Sequence, residues 1–349
     1  MRNKEMAMLK AIGIILVVMT HGYQIFLWFS PYSFHMALFI FVSGYLYKET
    51  YEDNVPKYIL KKVKRMLVPY FIYNIVYASI TYFLMIRYNI TLGEKPNLFN
   101  FFVQPFIDGH QYHLFLSGWF LIELFLIQAS FVIIYKYSKK VTKNDYLHLL
   151  LFCLMGLAGT YLAKIYPKPK GIYLPIIRTM FCMFFYYFGI FYRKRLEDKN
   201  LFRSRNMLIV FITQVFCIVK FGIIDYELAW ANYYGRLVLP FVVSLTGIYM
   251  SIFVAKAMVK LFPDNDFLYT IGENTMHIML NHMIVFFVIN GIFYKLGAFE
   301  FEKLNDIWFT YNPGHLWLLY ITLGLLVPTY VTLGIKRFRS KMVKGRKNK

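Results

Sequence analysis

The first long apolar stretch of this 349-residue chain carries an ionisable side chain at each end, Lys10 and His21. In a helix their eleven-residue separation is just over three turns, so both project from one face, roughly 16 Å apart along the axis. A histidine inside a membrane span is costly and therefore indicates a function. A neutral imidazole can take a proton from an attacking hydroxyl group near neutral pH. The alternative is an imidazole that only hydrogen-bonds the backbone of a neighbouring helix.

Two further histidines are expected near the depth of His21. His35 lies near the outer end of the second predicted span, and His282 lies about fifteen residues into the ninth. Their convergence predicts a polar cavity in the outer half of the membrane, with His21, His35 and His282 as candidate catalytic residues. The sequence contains no HExxH motif or cysteine cluster, so we predict no metal site. It also lacks the G-x-S-x-G turn of serine hydrolases.

The composition indicates an all-α polytopic membrane protein. The chain is 58% hydrophobic, 20% aromatic and only 16% charged, which excludes an ordinary soluble domain. Its apolar runs are continuous rather than alternating, which excludes a membrane β-barrel. We predict about ten transmembrane helices with both termini cytoplasmic. The predicted spans are 8–30, 33–51, 67–87, 113–137, 146–166, 172–192, 206–222, 236–259, 267–294 and 316–335.

The net charge of +21 is explained by membrane topology rather than by nucleic-acid binding. Most of the 39 lysines and arginines fall in segments predicted to be cytoplasmic, as the positive-inside rule requires. There they can also contact anionic membrane lipids. We therefore predict one transmembrane domain, residues 1–335, followed by a basic cytoplasmic tail, residues 336–349.

Two segments between spans have patterns of their own. Segment 52–66 alternates apolar residues at helical spacing with lysine and arginine, which is typical of a helix in the cytoplasmic interface. Segment 88–112, rich in phenylalanine, is predicted to return toward the membrane as a lid or re-entrant loop.

The other unusual side chains near or within the spans are charged or aromatic. Glu123 and Arg178 are intramembrane charges that either line the cavity or pair with each other. For Trp119, Trp230 and Trp308 we predict a place in the outer aromatic belt and no chemistry.

Lys10, Lys62 and Arg65 are placed to bind phosphate groups at the cytoplasmic face. Positive-inside anchoring explains any one of them equally well. Together with a histidine further along the face of Lys10, they favour a phosphorylated cofactor with a long arm. The sequence contains no phosphate-binding glycine loop of a nucleotide hydrolase or dinucleotide enzyme.

Three ordered motifs, KAIGIILVVMTH, FHMALFIFVSGYLYK and KKVKRMLVPYF, closely resemble the membrane acyltransferase 3 family. The stand-alone branch that is similar to fucose 4-O-acetylases, enzymes of bacterial surface glycans, is the nearest in pattern. WFLIELFLI and IGENTMHIMLNH are weaker similarities. Ala7, Ala37 and Ile122 replace an acidic residue and two prolines of the family pattern, which bears on the subfamily rather than on the chemistry.

The resemblance implies a multi-pass O-acyltransferase of the bacterial cytoplasmic membrane. It would move an acyl group, usually acetyl, from cytoplasmic acyl-CoA (acetyl-CoA) to a hydroxyl group of a cell-surface or secreted carbohydrate. The family pattern places its basic residues on Lys10, Lys62 and Arg65 and its histidines on His21, His35 and His282. The sequence leaves open a glycan exporter or flippase that uses the same cavity without acyl transfer.

Overall fold

The chain folds into a bundle of α-helices, which confirms the predicted fold class. The computed structural model describes residues 3–23, 30–199, 201–222 and 224–347, and these contain no β-strand beyond two isolated bridges. The α-helices of this part of the chain are α1 Lys4–Gly22, α2 His35–Tyr45, α3 Val55–Lys62, α4 Val68–Tyr88, α5 Leu98–Phe102, α6 Trp119–Val141, α7 Asp145–Ile165, α8 Tyr173–Phe191, α9 Ser204–Phe221, α10 Leu239–Leu261, α11 Asp266–Glu273, α12 Thr275–Lys295 and α13 Pro313–Lys347.

Among the described residues, eight helical stretches are long and apolar enough to cross a membrane. They confirm a polytopic membrane protein. The second predicted span corresponds to α2, which has only 11 residues, and the seventh corresponds to α9, which is not among the eight. The count of ten spans therefore stays a prediction. The first predicted span extends to residue 30, whereas α1 ends at Gly22, and residues 24–29 lie outside the described part of the chain.

Two segments that we expected to be separate elements continue longer helices. Within segment 52–66, α3 passes through a π-helical turn, Val63–Leu67, into α4, so a continuous helix runs from Val55 to Tyr88. The basic segment that begins at Lys336 likewise continues α13, which extends to Lys347.

Helices α1 and α8 form the centre of the bundle. Helix α1 packs against α2, α10, α11, α12 and α13, while α8 packs against α2, α6 and α7. Helices α2 and α8 approach most closely where each has a glycine. A Cβ atom at Gly44 would overlap the carbonyl oxygen of Tyr186, and one at Gly189 would overlap that of Phe41. Small residues at a helix interface allow this close backbone approach.

The peripheral helices expose apolar side chains outward. Leu150 and Leu154 of α7 and Ile209 and Phe216 of α9 are more than half exposed. A continuous apolar surface of this kind is what contact with lipid chains requires.

Ion pairs connect the predicted cytoplasmic ends of three spans. Lys194 Nζ lies 2.5 Å from Glu49 Oε1, and Arg195 NH2 lies 2.7 Å from Asp145 Oδ2. Hydrogen bonding to Lys194 lowers the pKa of the Glu49 carboxyl group. These contacts join the segment after α2, the start of α7 and the π-helical turn after α8, Tyr192–Leu196, at one end of the bundle.

The Gly44→Ala substitution is expected to destabilise the protein by about 1–3 kcal/mol, because the added methyl group has no space between α2 and α8. The apparent melting temperature should fall. It is measured as the temperature at which half of the purified protein in detergent is lost from the monodisperse peak in size-exclusion chromatography. Gly291→Ala in α12 is the matched control, since nothing lies within 4 Å of its added Cβ. In a helix this change should stabilise by roughly 0.5–1 kcal/mol. Equal melting of the two variants would contradict the packing argument.

Candidate active site

A cavity of about 730 Å³ opens at the end of the bundle opposite the ion pairs. Its walls come from the outer half of α1, the turn before α2 and the segments between α4 and α6, α9 and α10, and α12 and α13. Every one of these segments adjoins or belongs to an end that we predicted to face outward. Residues far apart in the sequence therefore meet in one chamber.

His21 lies on the cavity wall and contacts His282 behind it. Nδ1 of His282 is 3.0 Å from the carbonyl oxygen of Ile278, one turn earlier in α12. Since a carbonyl oxygen can only accept, Nδ1 carries the proton and Nε2 of neutral His282 carries a lone pair. That Nε2 lies 2.7 Å from Nδ1 of His21, which therefore donates. Neutral His21 thus keeps its own lone pair on Nε2, the nitrogen that a general base needs.

His35 also lies on the cavity wall, in the first turn of α2. Its Nδ1 donates to the carbonyl oxygen of Pro31 at 2.5 Å, which leaves a lone pair on Nε2. The edge of the ring faces Tyr32, with 5.3 Å between ring centroids. The structure thus brings two of the three predicted histidines, His21 and His35, to the cavity and places His282 directly behind one of them.

The three tryptophans assigned to an outer aromatic belt lie instead on the cavity wall. Trp308 is next to His21, with 5.6 Å between ring centroids, and Trp230 stacks on His110 at 4.2 Å. Trp119 is almost fully buried at the base of the same wall. An indole offers a flat apolar face and one N–H donor, so these rings can cover the apolar side of a ring-shaped ligand.

His110, a further histidine on the cavity wall, was not predicted from the sequence. Burial first, and then the charge of Arg178, lowers the pKa of His110 to about 3. Its Nδ1 is buried and has no hydrogen-bond partner among the described residues. The signal that could have identified this wall is the spacing of Asp108, His110 and His113 in one outer segment, since all three line the cavity.

Arg178 and Glu123 form a buried ion pair, which resolves the alternative left open by the sequence. Arg178 Nε lies 2.9 Å from Glu123 Oε2, and both side chains are almost completely buried. The two other guanidinium nitrogens donate to the carbonyl oxygens of Ala229, at 3.1 Å, and Ile107, at 2.8 Å. These carbonyls belong to two outer segments that form the cavity wall. Arg178 therefore fixes the wall while Glu123 neutralises its charge.

The segment between α4 and α6 packs against α4 and lines the cavity, and its role as a lid or re-entrant loop stays a prediction. Gly93 and Tyr112 form an isolated bridge that closes the segment at its base. Buried Asn74 of α4 donates to the carbonyl oxygen of Phe101, at 3.1 Å, and accepts from Gln111, at 3.0 Å. These contacts hold the segment down, so that its polar residues face the cavity.

The predicted phosphate-binding residues lie away from this cavity. Lys10 is half-buried on α1, two turns before the nearest cavity residue of that helix, Val17. Lys62 Nζ lies 5.1 Å from the centre of the Tyr58 ring, and Arg65 is exposed on the π-helical turn. None of the three lines the cavity, so their role stays a prediction. In the described ranges, no group of three histidine, cysteine or acidic side chains is arranged to hold a metal ion.

Residues 3–335 match the sequence model of a protein family described as an acyltransferase domain. The matched range includes every residue that lines the cavity, from Val17 to Trp308. No curated protein and no solved structure matches the chain.

Arg178→Lys is expected to loosen both wall segments, because one ammonium group cannot replace a planar guanidinium bound to three partners. Backbone hydrogen exchange in residues 104–111 and 227–232 should become roughly tenfold faster, which corresponds to ~1.4 kcal/mol. Thr179→Val is the control, since it removes a 2.7 Å hydrogen bond to the same Glu123 without touching either segment. If backbone hydrogen exchange is unchanged in Arg178→Lys, Arg178 does not stabilise the two segments.

His110 is expected to make the folded protein less stable as the pH falls. The unfolded chain binds a proton at this residue below about pH 6.5, whereas the folded protein does not until about pH 3. At pH 5 this difference in proton binding lowers the free energy of unfolding by roughly 2 kcal/mol. His110→Gln should reduce the difference in melting temperature between pH 7 and pH 5, and His315→Gln, a change at an exposed histidine, should not. An unchanged pH dependence in His110→Gln would contradict the assignment.

Proposed function

The chain belongs to the acyltransferase 3 family, and from this premise we propose that it transfers an acetyl group from acetyl-CoA to a hydroxyl group of a carbohydrate. The proposed setting is the bacterial cytoplasmic membrane, with acetyl-CoA arriving from the cytoplasm. The acceptor, a cell-surface or secreted glycan, enters the cavity from the outer side. A chamber bounded by segments from that end supports this direction.

One observation carries the proposal: the lone pair of His21 is fixed on Nε2 at the wall of an aromatic cavity. The Ile278 carbonyl determines the tautomer of His282, which in turn determines that of His21. A base whose tautomer is fixed before the acceptor arrives needs no rearrangement during the reaction. Trp308 beside His21 offers a surface on which a sugar ring can rest with a hydroxyl group pointed at Nε2.

In the proposed reaction, His21 Nε2 takes the proton of the acceptor hydroxyl group as that oxygen attacks the thioester carbonyl carbon. A C–O bond forms and the C–S bond breaks. Coenzyme A leaves as a thiolate, which recovers the proton from His21. While the imidazolium exists, its Nδ1–H continues to donate to His282, so His282 acts as a positioning residue that also stabilises the charge.

His35 and Ser117 are assigned complementary parts. In the tautomer that donates to Pro31, His35 presents a lone pair to the cavity and can accept a hydrogen bond from an acceptor hydroxyl group. It cannot donate to a developing oxyanion. The buried hydroxyl group of Ser117 lines the cavity and has no partner among the described residues, so we assign it this donor role.

For the donor we retain the proposal that Lys10, Lys62 and Arg65 bind the phosphate groups of acetyl-CoA. Helix α1 connects Lys10 to the cavity, since Val17 follows it by seven residues, or about 10 Å. The flexible arm of the donor would lie along this face of α1. Cationic side chains at the inner end suit polyanionic phosphate groups.

Two alternatives, an acetylated enzyme intermediate and glycan export without acetyl transfer, give different results with radiolabelled acetyl-CoA. An acetyl group carried transiently on His21 would appear as radiolabelled protein after acetyl-CoA is added without acceptor. An exporter would move unmodified glycan across vesicles and ignore acetyl-CoA.

His21→Ala is expected to lower acetyl transfer from radiolabelled acetyl-CoA to membrane glycan by roughly 10²–10⁴-fold, the usual contribution of a general base. His282→Phe should also lower it strongly, because His21 Nδ1 loses its acceptor. His282→Gln should retain more activity, since its amide oxygen can still accept. His315→Gln, at an exposed histidine remote from the cavity, is the control. Full activity of folded His21→Ala would end the proposal.

A further inference from the structure

We propose that the cavity accepts an uncharged or amine-bearing sugar residue and excludes one that carries an acid group. This inference rests on the proposed function, because it names the class of acceptor for the same site. It follows from the charges and hydrogen-bonding groups of the wall, of which the family match says nothing.

Four carboxyl groups line the cavity: Glu94, Asp108, Asp225 and Glu227. Among the described residues, the structure pairs none of them with a lysine or arginine within 4 Å. Their nearest partners are uncharged or are backbone N–H groups. Glu94 accepts from Gln104 at 2.8 Å, and Asp108 accepts from the backbone N–H of His110 at 3.0 Å.

Glu227 accepts from Asn232 at 3.1 Å and from Tyr234 at 3.2 Å. Burial raises the pKa of Asp225, so this carboxyl group holds its proton to higher pH than the usual aspartate. The negative charge of the wall therefore comes chiefly from Glu94, Asp108 and Glu227.

Within the described part of the chain, no lysine or arginine compensates the negative charge of the wall. None of the described lining residues is a lysine or arginine, and residues 24–29, which follow His21, contain no basic side chain. Arg178 lies behind Trp119 and is neutralised by Glu123. Arg236 donates to the carbonyl oxygen of Phe221.

Two further groups bear on this charge. Lys95 is exposed and follows Glu94 in the chain, but it lines a separate surface pocket. His110 is neutral at physiological pH, because burial lowers its pKa to about 3. An anion that enters the cavity would therefore meet like charge without a counter-ion.

The hydrogen-bonding groups of the wall favour the same class of acceptor. The Oε1 atom of Gln104, which is almost fully buried, and Oδ1 of Asp225 have no partner among the described residues. With Glu94, Asp108 and Glu227 they make a wall that mostly accepts hydrogen bonds. Hydroxyl and ammonium groups donate, whereas a carboxylate or phosphate group only accepts. Unpaired buried acceptors are costly, so a ligand rich in donors is favoured.

Half-exposed tryptophans supply the apolar part of the site. Trp230 is 46% exposed and Trp308 is 52% exposed, and both belong to the wall. Their faces can cover one side of a sugar ring while its hydroxyl groups reach the carboxylates. The site is therefore suited to a neutral or amine-bearing pyranose.

Three methyl β-D-glycosides test this inference on the full-length protein in detergent: glucoside, 2-amino-2-deoxyglucoside and glucuronide. Binding is measured by saturation-transfer NMR at low and high salt. The first two should bind at least about tenfold more tightly than the glucuronide at low salt, and the gap should narrow as salt screens the wall. Equal or tighter binding of the glucuronide would overturn the inference, as would no binding of any of the three.

Variants of the wall carboxylates test which negative charges disfavour binding of the glucuronide. Asp108→Asn combined with Glu227→Gln should raise glucuronide binding severalfold relative to binding of the methyl glucoside, because the amide side chains carry no negative charge. Glu300→Gln, at an exposed position of the segment after α12, is the matched control and should not alter the ratio. If the double variant has the same ratio of glucuronide to glucoside affinity as the unmodified protein, these carboxylates do not cause the selectivity and the proposal is refuted.

The same glycosides separate this inference from the proposed function. If they bind in the expected order but none receives acetyl from radiolabelled acetyl-CoA, the charge selectivity stands and the transferase proposal fails. If acetyl is transferred to the glucuronide as readily as to the glucoside, the transferase proposal stands and the selectivity fails.

Discussion

The cavity depends on the buried ion pair between Arg178 and Glu123. A charge removed from water is tolerated only when it is neutralised and its hydrogen-bonding groups are used. Glu123 neutralises Arg178, whose remaining nitrogens then bind the carbonyl oxygens of Ile107 and Ala229. Two long connections are thereby fixed to one residue of the central helix. The face of Trp119 covers the guanidinium group and separates it from the cavity. The positive charge thus organises the wall without contributing to its surface.

The sequence predicts the depth of a residue in a membrane helix more securely than its direction. Once the ends of a span are known, depth follows from counting residues at a constant rise, and His21 and His282 do meet. Which ring faces the cavity depends on the rotation of both helices and on the carbonyl of Ile278, neither of which a single sequence contains. The same ambiguity applies to the tryptophans, because a sequence does not show whether an indole ring near the end of a span faces lipid or a cavity. Trp230 and Trp308 line the cavity.

The cationic residues show a second limit of the sequence. Lys10, Lys62 and Arg65 stand where the predicted topology requires positive charge, so their pattern has two sufficient explanations. The cavity does not involve them, and their part in donor binding remains a prediction. The Arg178–Glu123 pairing was open for a related reason, because two charges at similar depth pair only if their helices are neighbours. The long outer connections were the least predictable, since their form follows from contacts such as those of Asn74 rather than from periodicity.

The shortness of α2 has a consequence for how the protein is made. Its eleven residues rise only about 16 Å, roughly half of a bilayer's hydrocarbon thickness. Such a segment is poorly retained by lipid alone, so the nascent chain must hold it as a hairpin with α1. Its closest neighbour is α8, at the crossing of Gly44 and Gly189, and α8 leaves the ribosome long after α2. The histidine at the start of α2 therefore reaches its final position only after α8 has been synthesised, when more than half of the chain has been made.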